Sequence, residues 1–455
     1  KRTYARQMEV AAAQLAFFDE QTGRIIAQLK ASGQYDNTLI IYLQGDNGAS
    51  MDSRRGAVQE LQSLIGVEPT EQELIDKWDQ NGTRQSYSNY HSAWAWAQNA
   101  PFPWGKQIAS HLGGLRDGLV ISWPKRIKAT GAIRSQFHHV IDVAPTIYDA
   151  AGVTPPATVD GGSQQPIDGV SMVYSFDGAR APSARAEQYF EMLGNRSFYK
   201  DGWLASTTPG GPPFSRPTTP LDPNSFKWEL YNLSVDYSQS TNLAAKNPQK
   251  LAELQAGFDA AAKRYNVYPL TADLLGRVGL DKRPSVLAGR DHIVFHPGET
   301  RYPQGTFPAL APGWTMTADL AVTGNAAQGR VAITGDEAGG AGLLLDDGRP
   351  VFLYNATARE EERFTLAGPL LAPGEHKVAI AVSAAPAAGP RAARIAMLVD
   401  GKEVAAKEMS LFYPVRGGGV VGRYAVRQLL EGQAQPPRRD MEVRQVVFDR
   451  ERPAR

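Results

Sequence analysis

Asp46 and Asn47 stand side by side after an apolar run, in Gln44-Gly45-Asp46-Asn47-Gly48. A carboxylate beside an amide oxygen is a hard-donor pair of the sort that holds Ca²⁺ or Mg²⁺. The same residues also close turns, because Asx side chains bond their own backbone and Asn-Gly is a favoured turn pair. Spacing alone leaves both readings open. Lys106 lies among aromatic residues in Pro103-Trp104-Gly105-Lys106-Gln107, with Gly113-Gly114 close behind, where bare backbone can approach an anion. An ammonium there could bind an oxyanion, or it could lie along the surface with its charge in water, the commoner fate of a lysine. His111, His138 and His139 are the nearby imidazoles; paired histidines before a helix are more often packing or hydrogen-bonding groups than ligands. Cysteine is absent, which excludes a disulfide, a thiolate metal site and a cysteine nucleophile in these residues.

The elements around these groups read as α/β. From Met8 to Leu29 apolar residues recur at helical spacing, and Gly33 follows as a stop. Thr38-Leu39-Ile40-Ile41-Tyr42-Leu43 is a short continuous apolar run, as expected of a central strand buried on both faces. Asp46 and Asn47 therefore sit beyond a strand's carboxyl end, where open α/β sheets place their ligands. Residues 50 to 100 are mixed, with a helix near Glu71 to Trp78 and a loop from Tyr87 to Trp96. A second strand, Gly118 to Trp123, leads into a basic turn, and Ile141 to Ala150 reads as helix. Short strands between Gln188 and Thr207, a Pro-rich loop, a strand near Trp228 to Leu233 and a helix capped by Asn247-Pro248 complete this part. Leu251, Leu254, Phe258, Ala261 and Tyr265 form the apolar face of that helix.

Beyond about Arg283 the pattern changes to short alternating runs: Trp314 to Val322, Arg330 to Thr334, Gly342 to Leu345, Val351 to Tyr354, Lys377 to Val382 and Arg394 to Val399. Asp347-Gly348 and Asp400-Gly401 each divide two such runs, the strongest short-range hairpin signal. The reading is an α/β part over 1–275, a β-sandwich over 283–432 and an extended arm over 433–455, rich in Pro, Arg and Glu. The 455 residues are 42% hydrophobic and 21% charged, an ordinary globular composition, and the formal net charge of +1 offers no field for nucleic acid or an anionic membrane. An anion must be caught locally. No apolar stretch approaches a membrane span. The chain begins inside a helix pattern and reads as truncated or processed.

The blocks Asp19-Glu20-Gln21-Thr22-Gly23, Asp36-Asn37-Thr38-Leu39-Ile40-Ile41 and Gly45-Asp46-Asn47-Gly48 resemble the sulfatase pattern of a D-x-x-x-G helix, a D-N-T-L strand and a terminal D-N-G. Phe102-Pro103-Trp104-Gly105-Lys106, Ser122-Trp123-Pro124, His139 to Thr146, Asp168 to Ser171 and Trp228 to Leu233 follow in the order seen in bacterial arylsulfatases. The resemblance covers residues 3 to about 270, and that subgroup also carries a C-terminal β-sandwich. It implies the C-terminal part of an alkaline-phosphatase-like α/β core followed by an all-β, jelly-roll-like sandwich. It implies hydrolysis of sulfate esters to an alcohol or phenol plus sulfate, with Asp46 and Asn47 binding a divalent cation, usually Ca²⁺, and Lys106 binding sulfate and helping the leaving oxygen. His111 is carried as a substrate-binding candidate, although many members place a glutamate there, directly before Gly-Gly, and here Leu112 intervenes.

The family's nucleophile is a formylglycine made from the Cys or Ser of a C/S-x-P-x-R signature in a segment that precedes the long helix. That segment is expected on a missing N-terminal part, a separate chain or an absent one, and the isolated chain is expected to be inactive. Ser122-Trp123-Pro124-Lys125-Arg126 fits S-x-P-x-R formally, but it follows the Asp-Asn strand and matches a structural Trp-Pro turn of the family. A phosphomonoester or phosphonate hydrolase of the same superfamily is the near alternative, since the esters share tetrahedral geometry. From another class comes a non-catalytic glycan- or partner-binding protein, with Trp314, Tyr354 and Phe412 as a sugar platform or, more simply, as core. The compartment, periplasm or cytoplasm of a bacterium, stays undetermined.

Overall fold

The computed structural model describes residues 1–57, 68–83, 86, 88–215, 221–273, 287, 289–298, 302, 307–308, 311–336, 339–355, 363–388, 392–410, 412, 418–422 and 439–450. Contacts divide the chain into one unit of residues 1–56 and 89–274 and a second of 57–88 and 275–455. The stretch 57–88 thus groups with the C-terminal residues, where the sequence placed it in a continuous 1–275.

The first unit opens with helix α1, Arg2–Ala31. Gly33 ends it as expected: with φ at 70°, it lets its own N–H reach the Lys30 carbonyl and the N–H of Gln34 reach that of Leu29. These two bonds satisfy carbonyls the helix leaves over. Strand β1, Ile40–Gln44, pairs antiparallel with β2, Gly118–Ser122, in the register Ile40 to Ser122 and Gln44 to Gly118. The expectation of a strand buried on both faces fails here. This sheet has two strands among the described residues, and Val120 on β2 is 61% exposed. The segment Tyr87 to Trp96, read as loop, enters a helix at Ser92–Asn99, where His91 caps the start by accepting from the Ala93 N–H. Its alanines and tryptophans are too few to show a helical period.

Two further helices of this unit are Val143–Ala151 and Tyr174–Asp177, with a two-residue hairpin of β3, Thr158–Val159, and β4, Gly162–Ser163, between them. A four-stranded antiparallel sheet follows in sequence order: β5, Glu187–Met192; β6, Asn195–Lys200; β7, Trp203–Thr207; and β8, Trp228–Asn232. The helix Pro248–Arg264 lies on it, with Leu254, Phe258 and Ala262 closing against Phe198, Ala205 and Leu230. Full burial of Leu254 and Phe258 stabilises by roughly 1.5–3 kcal/mol each. Asn247 holds the N-cap position, yet its side chain turns back to donate to the Leu243 carbonyl instead of capping.

In the second unit, the helix Glu71–Asp76 carries a capping box, Thr70 accepting from the Glu73 N–H while Glu73 accepts from the Thr70 N–H. The rest is all-β: β9, His292–Phe295; β10, Trp314–Val322; β11, Gly329–Asp336; β12, Gly339–Asp346; β13, Arg349–Asn355; β14, Arg363–Ala367; β15, Gly374–Ala384; β16, Ala393–Val399; β17, Lys402–Met409; β18, Gly419–Val421; and β19, Met441–Arg450. A six-stranded sheet in the order β17-β16-β15-β10-β19-β9 and a five-stranded one in the order β14-β13-β12-β11-β18 share one core. Met316, Ile380 and Phe448 of the first sheet meet Leu343, Leu345 and Phe352 of the second. Asp347-Gly348 and Asp400-Gly401 join β12 to β13 and β16 to β17, with φ positive at all four residues.

The extended arm over 433–455 requires correction. Residues 433–438 and 451–455 lie outside the described ones, but Met441–Arg450 is β19, an interior strand between β10 and β9. Met441, Val443, Val446 and Phe448 point into the core, and the Arg and Glu residues between them give the arm-like composition. The sugar-platform reading also fails. Trp314, Tyr354 and Phe412 are buried in the sandwich core, with Tyr354 and Phe412 stacked at 5.1 Å.

Candidate functional site

A cavity of about 1010 Å³ in the first unit has Asp46, Asn47, Lys106 and Asp117 among its lining residues. Asp46 and Asn47 follow β1 directly, and the Asn47 Nδ2 donates to Asp46 Oδ1 at 2.6 Å. This contact spends a donor and leaves the Asn47 carbonyl oxygen with a carboxylate beside it, a donor set suited to a hard cation. Among the described residues no three His, Cys, Asp or Glu side chains are grouped so that they could hold a metal ion.

Lys106 reaches the same cavity from a chain segment far along the sequence. Its backbone N–H donates to the Ala49 carbonyl at 3.1 Å. The loop carrying Lys106 closes against the Asp46 turn because its glycines leave no room for side chains. A Cβ on Gly48 would overlap the Gly113 carbonyl, and one on Gly113 would overlap the carbonyls of Pro103 and Trp104. Among the described residues the Lys106 ammonium has neither a hydrogen bond nor an ion pair, so its charge is available to a ligand in the cavity. The sequence pointed to Gly113-Gly114 as a place for an anion; the structure uses both glycines to press backbone on backbone.

Asp117 is the residue that sequence reading missed. Burial, and then the charge of Asp46, push its carboxyl up to about 6. The one signal in the sequence is its position directly before β2, antiparallel to β1, which places it at the same sheet end as Asp46.

His111 is placed differently from the sequence expectation. It is 3% exposed and outside the cavity lining. Its Nε2 lies 3.3 Å from Glu229 Oε2 and its Nδ1 lies 2.9 Å from Ser110 Oγ. Burial raises the Glu229 carboxyl, but hydrogen bonds from His111, Thr208 and Tyr231 outweigh it and hold that group low. The residue is a tie between the Lys106 loop and β8, and two neighbours hold the same loop elsewhere: Leu112 N–H donates to Gln239 Oε1, beyond β8, at 2.7 Å, and Ser197 Oγ on β6 donates to the Ala109 carbonyl at 2.7 Å.

His138 and His139 do line the cavity, and burial lowers both pKa values, which favours the neutral rings. His139 Nδ1 accepts from the Ile141 N–H, and His138 Nε2 meets the Tyr174 hydroxyl at 3.0 Å. Behind them Asp142, fully buried, bonds the N–H groups of His139 and Val170 and is clasped by Arg185. Ser122 to Arg126 form a turn on the Tyr35–Asn37 segment, where Lys125 N–H donates to the Asp36 carbonyl and Trp123 Nε1 to Asn37 Oδ1. The formal S-x-P-x-R match is thus built into a structural turn.

The family model described as Sulfatase matches residues 1–153. An uncharacterized sulfatase of Schizosaccharomyces pombe is 30% identical over 257 residues, 56% of this chain and 43% of that protein. An arylsulfatase of Klebsiella aerogenes is 32% identical over 183 residues, 40% of this chain and 37% of that protein. A Bacteroides thetaiotaomicron structure solved in work on the metabolism of multiple glycosaminoglycans overlaps at a TM-score of 0.36 and 16% identity, over 54% of this chain and 43% of that one. The chain spans less than half the length of the curated relatives it matches. Among the described residues no helix is long and apolar enough to cross a membrane. The matched residues contain α1, the Asp46-Asn47 turn, Lys106 and the Asp142 cap, and over these residues the chain is similar to the sulfatase family.

Proposed function

We propose that this chain supplies the cation-binding and sulfate-binding side of a sulfate ester hydrolase of the arylsulfatase type. The observation that supports the reading is that Asp46, Asn47 and Lys106, whose ammonium has no partner among the described residues, all line the same cavity. Asp46 and Asn47 would hold a divalent cation, Ca²⁺ or Mg²⁺. When bound, that cation supplies positive charge against the sulfate oxygens, which build up charge as the ester bond breaks. Lys106 binds a sulfate oxygen and donates a hydrogen bond to the leaving oxygen, so that the alcohol departs without a full negative charge. The neutral His138 and His139 line the cavity without adding a competing charge.

The attacking group belongs to this reading as a formylglycine on a C/S-x-P-x-R segment outside these residues, carried by the same protein or by a separate chain. The substrate is a sulfate ester. The test is calorimetric titration of the full chain with CaCl₂ and then with sodium sulfate. The expected result is cation binding that Asp46→Ala abolishes and sulfate binding that Lys106→Ala abolishes. Sulfate binding unchanged in Lys106→Ala would overturn the assignment.

A further inference from the structure

The turn that carries Lys106 is held in a conformation its residues do not prefer. Trp104 and Gln107, on either side of Gly105-Lys106, have φ of 67° and 76°, left-handed backbone that is uncommon for residues other than Gly, Asn and Asp. Such a turn persists only when surrounding contacts over-determine it. Those contacts converge on Asn99, the last residue of the helix Ser92–Asn99. Its Nδ2 donates to the Trp104 carbonyl at 2.9 Å, and its Oδ1 accepts from the Ala49 N–H at 3.0 Å. Ala49 is three residues past Asp46, and its carbonyl in turn accepts from the Lys106 N–H. Gly105 has no room for a side chain, since a Cβ there would stand 2.9 Å from both the Ala49 carbonyl oxygen and Asn99 Nδ2. Gln107 is tied to the same strand exit through its Nε2, which donates to Asp52 Oδ1 at 2.9 Å.

We propose that Asn99 is a positioning residue that sets the spacing between the cation-binding pair Asp46-Asn47 and the sulfate-binding Lys106. It contributes no group to the ligand. One carboxamide serves both chain segments, with its oxygen on the strand exit and its nitrogen on the Lys106 turn. An aspartate would keep the acceptor and set a second oxygen against the Trp104 carbonyl; an alanine would lose both bonds. This inference rests on the reading of the site given above, because it concerns the distance between the two binding groups that reading assigns.

The quantity to measure is the coupling between cation and sulfate. In the unaltered chain, saturating Ca²⁺ tightens binding of inorganic sulfate, because both charges face one cavity. Asn99→Ala is expected to lose at least about fivefold of that enhancement, the low end of ordinary coupling strengths. Its Ca²⁺ affinity alone and its sulfate affinity without Ca²⁺ stay near those of the unaltered chain. Asn99→Asp, which retains the acceptor, is expected to lose part of the enhancement, and it carries the test if the alanine variant does not fold. Trp104→Gly placed on Asn99→Ala restores part of it, since glycine holds the left-handed turn without a brace. Coupling unchanged in both Asn99 variants overturns the proposal. So does a parallel fall of all three affinities together with the melting temperature, which is the behaviour of a purely structural residue. If the unaltered chain and Lys106→Ala bind sulfate alike, the underlying site reading fails instead, and the positioning role falls with it.

Discussion

The main chain of Gly48 lies so close to that of Gly113 that a Cβ on Gly48 would overlap the Gly113 carbonyl oxygen, and the Gly48 N–H donates to the Gly114 carbonyl at 3.3 Å. Here the Asp46 turn and the Lys106 loop become one object. The obstacle is backbone, not a flexible side chain that could swing away. Gly48→Ala is therefore expected to destabilise the chain by roughly 1–3 kcal/mol, the ordinary cost of overpacking, and to weaken Ca²⁺ and sulfate binding together. Urea denaturation with parallel calorimetry checks it. A Gly48→Ala variant with unaltered stability would show that the two segments part easily.

His111 and Glu229 join that loop to β8. His111→Ala leaves the carboxylate half-covered and short of a donor, at a cost of roughly 1–3 kcal/mol. His111→Gln, which can still donate toward Glu229, should recover a good part of the loss. If His111 bound substrate directly, His111→Ala would remove sulfate binding while leaving the denaturation midpoint in place, the opposite of the expected pattern.

Asp117 gives a pH dependence whose direction follows from its raised pKa of about 6. An unfolded aspartate ionises near 3.9, so as the pH rises from about 4 to about 6 the unfolded chain loses the proton first. The metal-free protein is therefore penalised increasingly over that window and fully above it. Asp117→Asn is expected to raise the melting temperature of the metal-free chain more at pH 7.5 than at pH 5. With Ca²⁺ added, the advantage should shrink or reverse, because the cation relieves the repulsion from Asp46. Equal gains at both pH values would remove the pair from the argument.

His138 and His139 act in the opposite sense. Burial lowers both pKa values, so the folded chain resists the protons that unfolded histidines take up near 6.5. Their contribution to stability is complete above about pH 6.5 and is lost as the pH falls through that value toward the folded pKa values. Melting temperatures between pH 7.5 and 5.5 should fall less steeply in His138→Gln than in the unaltered chain. Parallel slopes would mean that this ring does not titrate with unfolding.

Elements whose signal is local are legible in the residues themselves. The alternation in Trp314 to Val322, the Asp-Gly pairs, the Gly33 stop and the apolar face of Pro248–Arg264 each depend on residues within a turn or two of one another. Asp46, Asn47 and Lys106 are legible as residue types in motif order, and all three are among the residues that line the cavity. What cannot be read along the chain is partnership over distance. Strand β19 looks like a charged arm because its value as a strand depends on β10, with Gln445 reaching Asp319 across 126 positions. His111 looks like a ligand because Glu229, the carboxylate it meets, is 118 residues later, and Asp117 looks ordinary because its burial, and then its nearness to Asp46, arise only in the fold.

The sequence by itself determined which donors are present, the periods that make helix and strand, and the family motifs they resemble. The tertiary structure alone decided which charged groups face the cavity and which are consumed in ties between segments. The physical reason is range. Torsional preference and hydrophobic period act over a few residues, whereas the Ala49 to Asn99 bond spans 50 positions, and the charge on Asp117 depends on how far the fold buries it and then on the carboxylate set beside it.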